Sequence, residues 1–445
     1  MPATSTSGAH RPGALSRHLL TRAAGGRCGL VPPLRFVHGQ PCDLPGPWLD
    51  GHPLANAAVP KDPANAWQTV SGAVAQAPGD AAAGALAEAL ERLAAAQAAM
   101  PLRPRDAIDT SMRLDEDGFA LFSDRQRAQP DFPWPMARSA QDLYAPVYSL
   151  ADNRERWVPQ ELVGLGPRAG QARMPSTSSG LAAWRDEAGG PWLALLRAAQ
   201  ELLERDALAT TWLNGLGGRT LPLPEEWTHD AARRGGAIAA YDLTQAWNPH
   251  PVVAVAGGLP WAGRPRFVLG IACRASRGAA LHKALLEWTQ SLTFAAHLAG
   301  RATDDLPTDP ARLRRFDQHA VFYTLRPELW RETALIAHAR PHGPAVGADA
   351  ARPEATGARQ AATQLHDLQS ALGRAGIDLY YRELTTVDVA ACGLRVMRVL
   401  SPQLSGLHAD ERAPFLGGRS ADVDWRYPGL ARHTSYPNPL PHPLG

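Results

Sequence analysis

The sequence predicts an α+β (mixed α/β) fold, on three observations. Long segments with helical periodicity follow Asp80, Gly190 and Ala279. Runs of strand length, such as Tyr144–Tyr148 and Leu394–Leu400, lie between them. The two kinds follow one another without a regular βαβ beat. At 445 residues, with 45% apolar and 20% charged side chains, the chain can bury a large core and has a globular composition.

From the N-terminus, residues 1–60 are rich in Gly and Pro and read as an irregular arm. The first 42 residues hold five arginines and no acid, but scattered Pro, Gly and Ser favour a flexible tail over a transit-type leader. Residues 65–77 are strand-like around Trp67–Val70 and turn at Ser71-Gly72. Asp80 is read as the N-cap of a helix with Leu86, Leu90 and Leu93 on one face and Glu88 and Glu91 on the other. Residues 100–175 are Pro-rich, with strands at Tyr144–Tyr148 and Trp157–Leu165. A second helix opens after Gly189-Gly190, with Pro191 in its first turn, and runs to about Leu213. It is apolar nearly all round and so is expected to be buried, turning Glu201 and Glu204 toward something other than bulk water. Residues 236–275 hold two or three strands, including Pro251–Val255 and Arg266–Ile271. A third helix, about Ala279–Leu298, places Leu281, Leu285, Trp288 and Leu292 on one face and Lys283, Glu287 and Gln290 on the other. Residues 340–360 read as a loop. A helix over about Ala361–Ala375 leads to strands Ile377–Arg382 and Leu394–Leu400.

The formal net charge of +2 excludes a global basic field for nucleic acid or an anionic membrane. Nearly all the positive charge is Arg; the only lysines are Lys61 and Lys283. Cys28, Cys42, Cys273 and Cys392 form neither a CxxC nor a zinc spacing, which suits a reduced, cytoplasmic protein. No apolar run approaches the roughly 18 residues that span a bilayer.

The helices carry the chemistry. Glu88 and Glu91, Glu201 and Glu204, and Glu287 and Gln290 are each three residues apart, so each pair shares a helical face. Singly, each pattern is commonest on a solvated face. Converging, they would put up to five carboxylates in one place, a cluster that calls for cations. Mg²⁺ takes oxygen ligands and phosphate partners, so a metal–nucleotide site is the idea to test. Lys283 adds a cation beside the third pair. Asn214-Gly-Leu-Gly217-Gly218 follows a helix rather than a strand and reads as a helix C-cap, not a dinucleotide loop. The histidines show no HExxH spacing, and the serines of Pro175–Gly180 read as a turn. The chain ends in alternating prolines, Pro437, Pro439, Pro441 and Pro443, which stiffen it into an extended rod.

Together these features resemble the YcaO superfamily, specifically the azoline-forming cyclodehydratase (D protein) of thiazole/oxazole-modified peptide biosynthesis. The resemblance covers roughly residues 65–445. It rests on Gly84-Ala-Leu-Ala-Glu88-Ala-Leu-Glu91-Arg92 against the family's SxxxExxER, and on Ser178–Ala182 followed by Glu201-Leu-Leu-Glu204-Arg205 and Thr211–Asn214. It rests further on Lys283–Ser291, on Leu384–Val389 leading to Gly393–Pro402, and on the proline tail. The resemblance implies a YcaO-type fold, with helices packed on mixed, largely antiparallel sheets around a nucleotide site. Its parts would be an N-terminal arm (1–60), an ATP-binding catalytic domain (61–435) and the tail (436–445).

It implies ATP held through Mg²⁺, with Glu88, Glu91, Glu201, Glu204 and Glu287 as metal ligands. Lys283, Gln290 and Arg398 would join them around the nucleotide. Pro439, Pro441, Pro443 and Gly445 would bring the C-terminal end to the catalytic centre. Gly84 replaces the usual Ser, losing one hydroxyl, and of the N-terminal nucleotide contacts only Arg35 is near the expected place. The implied activity is ATP-dependent conversion of Cys, Ser or Thr of a ribosomal precursor peptide to thiazolines or oxazolines. A 60-residue arm is too short for a leader-binding domain. The expected partners are therefore a leader-binding protein (E1-like/ocin-ThiF type), the precursor, an azoline dehydrogenase acting on the product, and a second copy in a homodimer; no nucleic acid or membrane is expected. Two rivals remain: thioamide formation, against which the proline tail argues, and a non-catalytic peptide-binding scaffold with a degenerate ATP site.

Overall fold

Three long helices position the site, and each forms where its sequence demands. Helix α1 (Pro78–Gln97) opens on Pro78, whose missing N–H costs nothing in a first turn, so Asp80 falls inside that turn rather than capping it. It buries Ala81, Ala85, Leu86, Ala89, Leu90 and Leu93. Helix α2 (Gly190–Leu213) carries Pro191 in its first turn and ends at Asn214, whose Nδ2 donates to the Thr210 carbonyl at 2.8 Å. The expected C-cap is thus where the sequence places it. Helix α3 (Arg277–Gly300) buries Leu285, Trp288 and Leu292. Two further helices matter below: α4 (Phe316–Leu325) and α5 (Ala358–Arg374), the latter burying Leu365, Leu368 and Leu372.

The structure is a computed structural model. It describes residues 22–37, 54–58, 70–75, 78–134, 139–165, 174–177, 179–261, 264–300, 308–341 and 353–445. Strands β1 (Arg35–Val37), β2 (Leu54–Ala58) and β3 (Val70–Ala73) form an antiparallel three-stranded sheet. A second sheet joins β4 (Arg103–Pro104), β5 (Leu143–Ser149), β6 (Glu155–Pro159), β7 (Leu181–Arg185), β12 (Tyr380–Glu383) and β13 (Leu394–Leu400). Its order is β4-β5-β12-β13-β7, with β6 on β5. The third holds β8 (Arg219–Leu221), β9 (Ala237–Asp242), β10 (Val252–Trp261) and β11 (Arg264–Cys273) in the order β11-β10-β9-β8. Every pairing between these strands is antiparallel.

Helix α2 packs between the second and third sheets and against α5, and its leucines centre the largest core cluster. Helix α1 lies on β2 and β3 and touches β7 and β13. Helix α3 covers β10 and β11 and meets α4. Gly270 on β11 permits this: a Cβ there would run into the α3 backbone at Ala284 and Trp288.

Several local readings change. Ser71-Gly72 is not a turn; it lies inside β3, where backbone pairing to β2 overrides the local Ser-Gly signal. The N-terminal arm is not wholly irregular, because Arg35–Val37 and Leu54–Ala58 complete that sheet. Trp67–Thr69, most of the arm and most of the 340–360 loop lie outside the described residues. The strand expected over Trp157–Leu165 stops at Pro159 and becomes a 3₁₀ turn over Gln160–Leu162, since proline brings no N–H to a ladder. Helices Glu225–Arg233 and α4 escaped the sequence reading.

Candidate active site

Packing brings the three acidic helices to one region. Glu88 Oε2 accepts the Gly72 N–H at 3.1 Å, and Gln290 Nε2 donates to the Gly72 carbonyl at 2.8 Å. Strand β3 is therefore clamped between α1 and α3. Glu88 also pairs with Arg92 one turn on. Gly84 belongs to the same contact: a Cβ there would come within 2.8 Å of the Ala73 Cβ, so glycine lets α1 close on β3. A serine at this position would have to push that strand away. Arg35 lies in β1, and its side chain is outside the described residues.

On α2, Glu201 Oε2 accepts the N–H groups of Gly180 and Leu181 at 3.1 and 3.0 Å, while Oε1 faces Arg205 at 3.3 Å. Glu204 Oε2 accepts the Cys273 N–H at 3.2 Å, and its Oε1 is 3.8 Å from Arg205. On α3, Lys283 and Glu287 form an ion pair. The carboxylates thus form a strip, each also engaged by a neighbour. Among the described residues, no three His, Cys, Asp or Glu side chains are grouped closely enough to hold a metal ion alone.

The electrostatics tie the strip together. Burial lifts the Glu91 carboxyl well above its usual range, and Glu201 and Glu88 add to it. Burial also pushes Glu204 up to about 7; Arg205 opposes this, and Glu201 reinforces it. Burial acts in the same sense on Glu287, but Lys283, Arg205 and Arg274 together hold that carboxyl low. Arg398 is fully buried. Burial lowers its guanidinium to about 10 against the pull of Glu201 and Glu91, and its Nη1 has no hydrogen-bond partner. Its other nitrogens donate to the carbonyls of Leu162 and Thr177, at 3.0 and 2.5 Å.

This donor set fits Mg²⁺. The carboxylates offer oxygen ligands, and two of them, Glu91 and Glu204, are held toward the neutral form by burial and by neighbouring carboxylates, a cost a divalent cation relieves. Mg²⁺ is ordinarily bound through one or two carboxylates plus phosphates.

Arg274 was not expected from the sequence. It follows β11, its Nη1 donates to the Cys273 carbonyl at 2.6 Å, and its charge acts on both Glu204 and Glu287. Glu354 braces this segment by accepting the Ala275 N–H at 2.9 Å and pairing with Arg197 at 2.7 Å. Nothing in the local pattern around Arg274 marks it; only the fold carries it to the strip.

The proline tail is not a free rod. Trp212 Nε1 donates to the Leu440 carbonyl at 2.8 Å, and Tyr323 Oη donates to that of Pro441 at 2.7 Å. His319 on α4 meets the His442 carbonyl at 3.0 Å. Pro441 and Pro443 are buried and Pro439 is exposed. Gly445 lies against Phe316 and Ala320 of α4, and Arg205 is among the charges that act on His442.

His442 makes the tail acid-sensitive. Its Nε2 donates to the His408 carbonyl at 2.7 Å, and its Nδ1 has no partner. Burial, with His319 and His408, lowers its pKa well below the usual value. The unfolded ring protonates near pH 6.5, so below that pH the unfolded state binds more protons and native stability falls with pH. We expect urea midpoints to drop as pH falls below about 6.5. The slope should be shallower in His442→Gln, and an unchanged slope would contradict this.

Among the described residues no helix is long and apolar enough to cross a membrane. A search of curated proteins returns no match. Among solved structures, a heterocyclase in complex with substrate and cofactor superposes with a TM-score of 0.72 at 18% identity; the match covers 98% of this chain and 58% of that one. The YcaO protein of Methanopyrus kandleri bound with AMPPCP and Mg²⁺ gives 0.58 at 16% identity, over 84% of this chain and 86% of that one. The E. coli microcin synthetase McbBCD complex gives 0.59 at 14% identity, over 91% and 98%. These likenesses establish the fold, and the chain spans less than two thirds of the first of them. The family described as YcaO cyclodehydratase, ATP- and Mg²⁺-binding, matches residues 75–405, about three quarters of the chain, and the chain belongs to that family.

Proposed function

We propose that the protein is an ATP- and Mg²⁺-dependent peptide cyclodehydratase. The observation that carries this reading is the strip of carboxylates from α1, α2 and α3, two of which, Glu91 and Glu204, are raised in pKa chiefly by desolvation. Glu88, Glu91, Glu201, Glu204 and Glu287 are the candidate metal ligands. Lys283, Gln290, Arg398 and Arg274 are candidates to neutralise or orient phosphates. The unpartnered Nη1 of Arg398 suits an anionic oxygen.

In the proposed reaction a Cys, Ser or Thr side chain of the substrate attacks the preceding backbone carbonyl. ATP supplies the phosphoryl group that turns the former amide oxygen into a leaving group, and the metal offsets the phosphate charge. The residues of this chain hold the nucleotide against α2 and set the charge around it. The tail through Pro439, Pro441, Pro443 and Gly445 would bring its terminal carboxylate to accept a proton.

The substrate would be a ribosomal precursor peptide captured with a leader-binding partner, and the enzyme a homodimer. The McbBCD complex is a multi-protein assembly by its name, which supports a partner in general. With precursor and partner present, product should lose the mass of one water per ring while ADP accumulates. ATP consumption without that loss would overturn the reading. Glu204→Gln, nearly isosteric, should lower turnover by about 10²–10³-fold, the scale of losing one preorganised electrostatic contact. Wild-type turnover in this variant would remove Glu204 from the site.

A further inference from the structure

The turn that leads from β11 into α3 is held from three directions. Its successive N–H groups each go to a different element. Cys273 donates to Glu204 Oε2 on α2 at 3.2 Å, Arg274 to the Pro251 carbonyl at 3.1 Å, and Ala275 to Glu354 Oε1 at 2.9 Å. Two residues farther on, α3 begins at Arg277, so the turn also sets the start of the helix that carries Lys283 and Glu287. Glu204 belongs to the acidic strip. Glu354 does not: it lies just ahead of α5, 79 residues from Ala275.

Glu354 also ties the turn to α2. Its Oε2 accepts from Arg197 Nη2 at 2.7 Å, and Arg197 Nη1 donates to Gln200 Oε1 at 2.7 Å. Arg197, Gln200, Glu201 and Glu204 stand at i, i+3, i+4 and i+7 and so share one face of α2. Glu354 therefore joins the upstream end of the strip's own helical face to the turn that carries Arg274. Charge makes this join consequential. Arg274 and Arg197 repel one another: the Arg197 guanidinium is lowered to about 10, by burial first and then by Arg274, and Glu354 opposes both. The Arg274 charge meanwhile acts on Glu204 and Glu287. The backbone of the turn keeps Arg274 near those carboxylates against the push from Arg197. Glu354 fixes that backbone and offsets the Arg197 charge at once.

We propose that Glu354 is a positioning residue of the site. By fixing the Cys273–Ala275 turn it sets where Arg274 stands relative to Glu204 and Glu287, and through Arg274 it sets the affinity for the phosphates of Mg·ATP. The second step rests on the cyclodehydratase reading, and the first does not.

The test is a double-mutant cycle on the full chain, read by titration with Mg·ATP. Glu354→Ala should weaken binding about tenfold, the scale of one charged hydrogen bond, and Arg274→Met at least as much. The double variant should bind as Arg274→Met does, because Glu354 acts through Arg274. A brace that serves stability alone would give additive losses or none, and either result would overturn the proposal. If orphaning Arg197 keeps Glu354→Ala from folding, Glu354→Ala/Arg197→Met takes its place, with Arg197→Met as the reference. Amide hydrogen exchange on the nucleotide-free proteins reads the turn by itself. Removing the Glu354 side chain should speed exchange at Ala275 and also at the fully buried Cys273, whose N–H goes to Glu204. An unchanged Cys273 amide would overturn the proposal. Faster exchange there, in a protein whose wild type binds no Mg·ATP, supports the positioning of the turn and overturns the nucleotide reading.

Discussion

Deleting Pro439–Gly445 is expected to lower ring-forming turnover about 10²–10⁴-fold, the range of losing a positioned proton acceptor, with Mg·ATP binding retained. The expectation follows from how the tail is held. Three carbonyls of the tail, those of Leu440, Pro441 and His442, meet Trp212, Tyr323 and His319, so the segment has one path across α2 and α4. Proline at alternate positions removes N–H groups that would otherwise need partners along that path. The proposed nucleotide ligands all lie outside the tail, which is why binding and turnover should separate. Steady-state kinetics with calorimetry on the same protein would show it. Appending glycines after Gly445 distinguishes the terminal carboxylate from the packing, since it moves the charge and keeps every contact. If the extended protein turns over normally, the carboxylate is not the proton acceptor.

Arg426→Ala is expected to destabilise the protein by about 3–5 kcal/mol, the cost of orphaning a buried charge. Asp206 and Arg426 are both fully buried. Arg426 Nε and Nη2 donate to the two carboxylate oxygens at 2.9 and 2.6 Å. Gln245 Nε2 and the Ser405 N–H donate to the same carboxylate at 3.1 and 2.8 Å, and these alone would not neutralise it. The double variant Asp206→Leu/Arg426→Met should recover most of the loss, because a buried pair replaced by apolar groups is often nearly neutral. Urea unfolding of the three proteins measures this, and a small loss in Arg426→Ala alone would contradict it. Turnover should fall as well. Asp206 adjoins Arg205, which holds Glu201 at 3.3 Å, so a shift of that helical turn reaches the strip.

The helices that carry the site were legible because their signals are local. The Leu86, Leu90, Leu93 face, the Pro191 first turn and the Lys283, Glu287, Gln290 face can each be read within about two turns of helix. Strand β13 was legible to the residue, since its run of apolar residues is buried. The N-terminal sheet was not. Arg35–Val37 and Leu54–Ala58 have no strong strand pattern, and they are strands because each pairs with another. Ser71-Gly72 shows the same priority of ladder over turn chemistry. Gly84 was legible only as a departure from a motif; its steric reason, the approach of α1 to Ala73, needed the fold.

By itself the sequence determined which residue types could make the site: acidic pairs spaced for one helical face, a lone lysine beside the third, and a stiff tail. It also determined the family to which those motifs point. Tertiary structure alone decided how they are used. It clamps Gly72 between Glu88 and Gln290, 218 residues away in the second case. It carries Arg274 to Glu204 and Glu287, and it seats the tail beside a cavity lined by His408, Glu411 and His442. The physical reason is range. Periodicity and capping act over a few residues, whereas a carboxyl's ionisation and a strand's pairing depend on groups that only packing brings near.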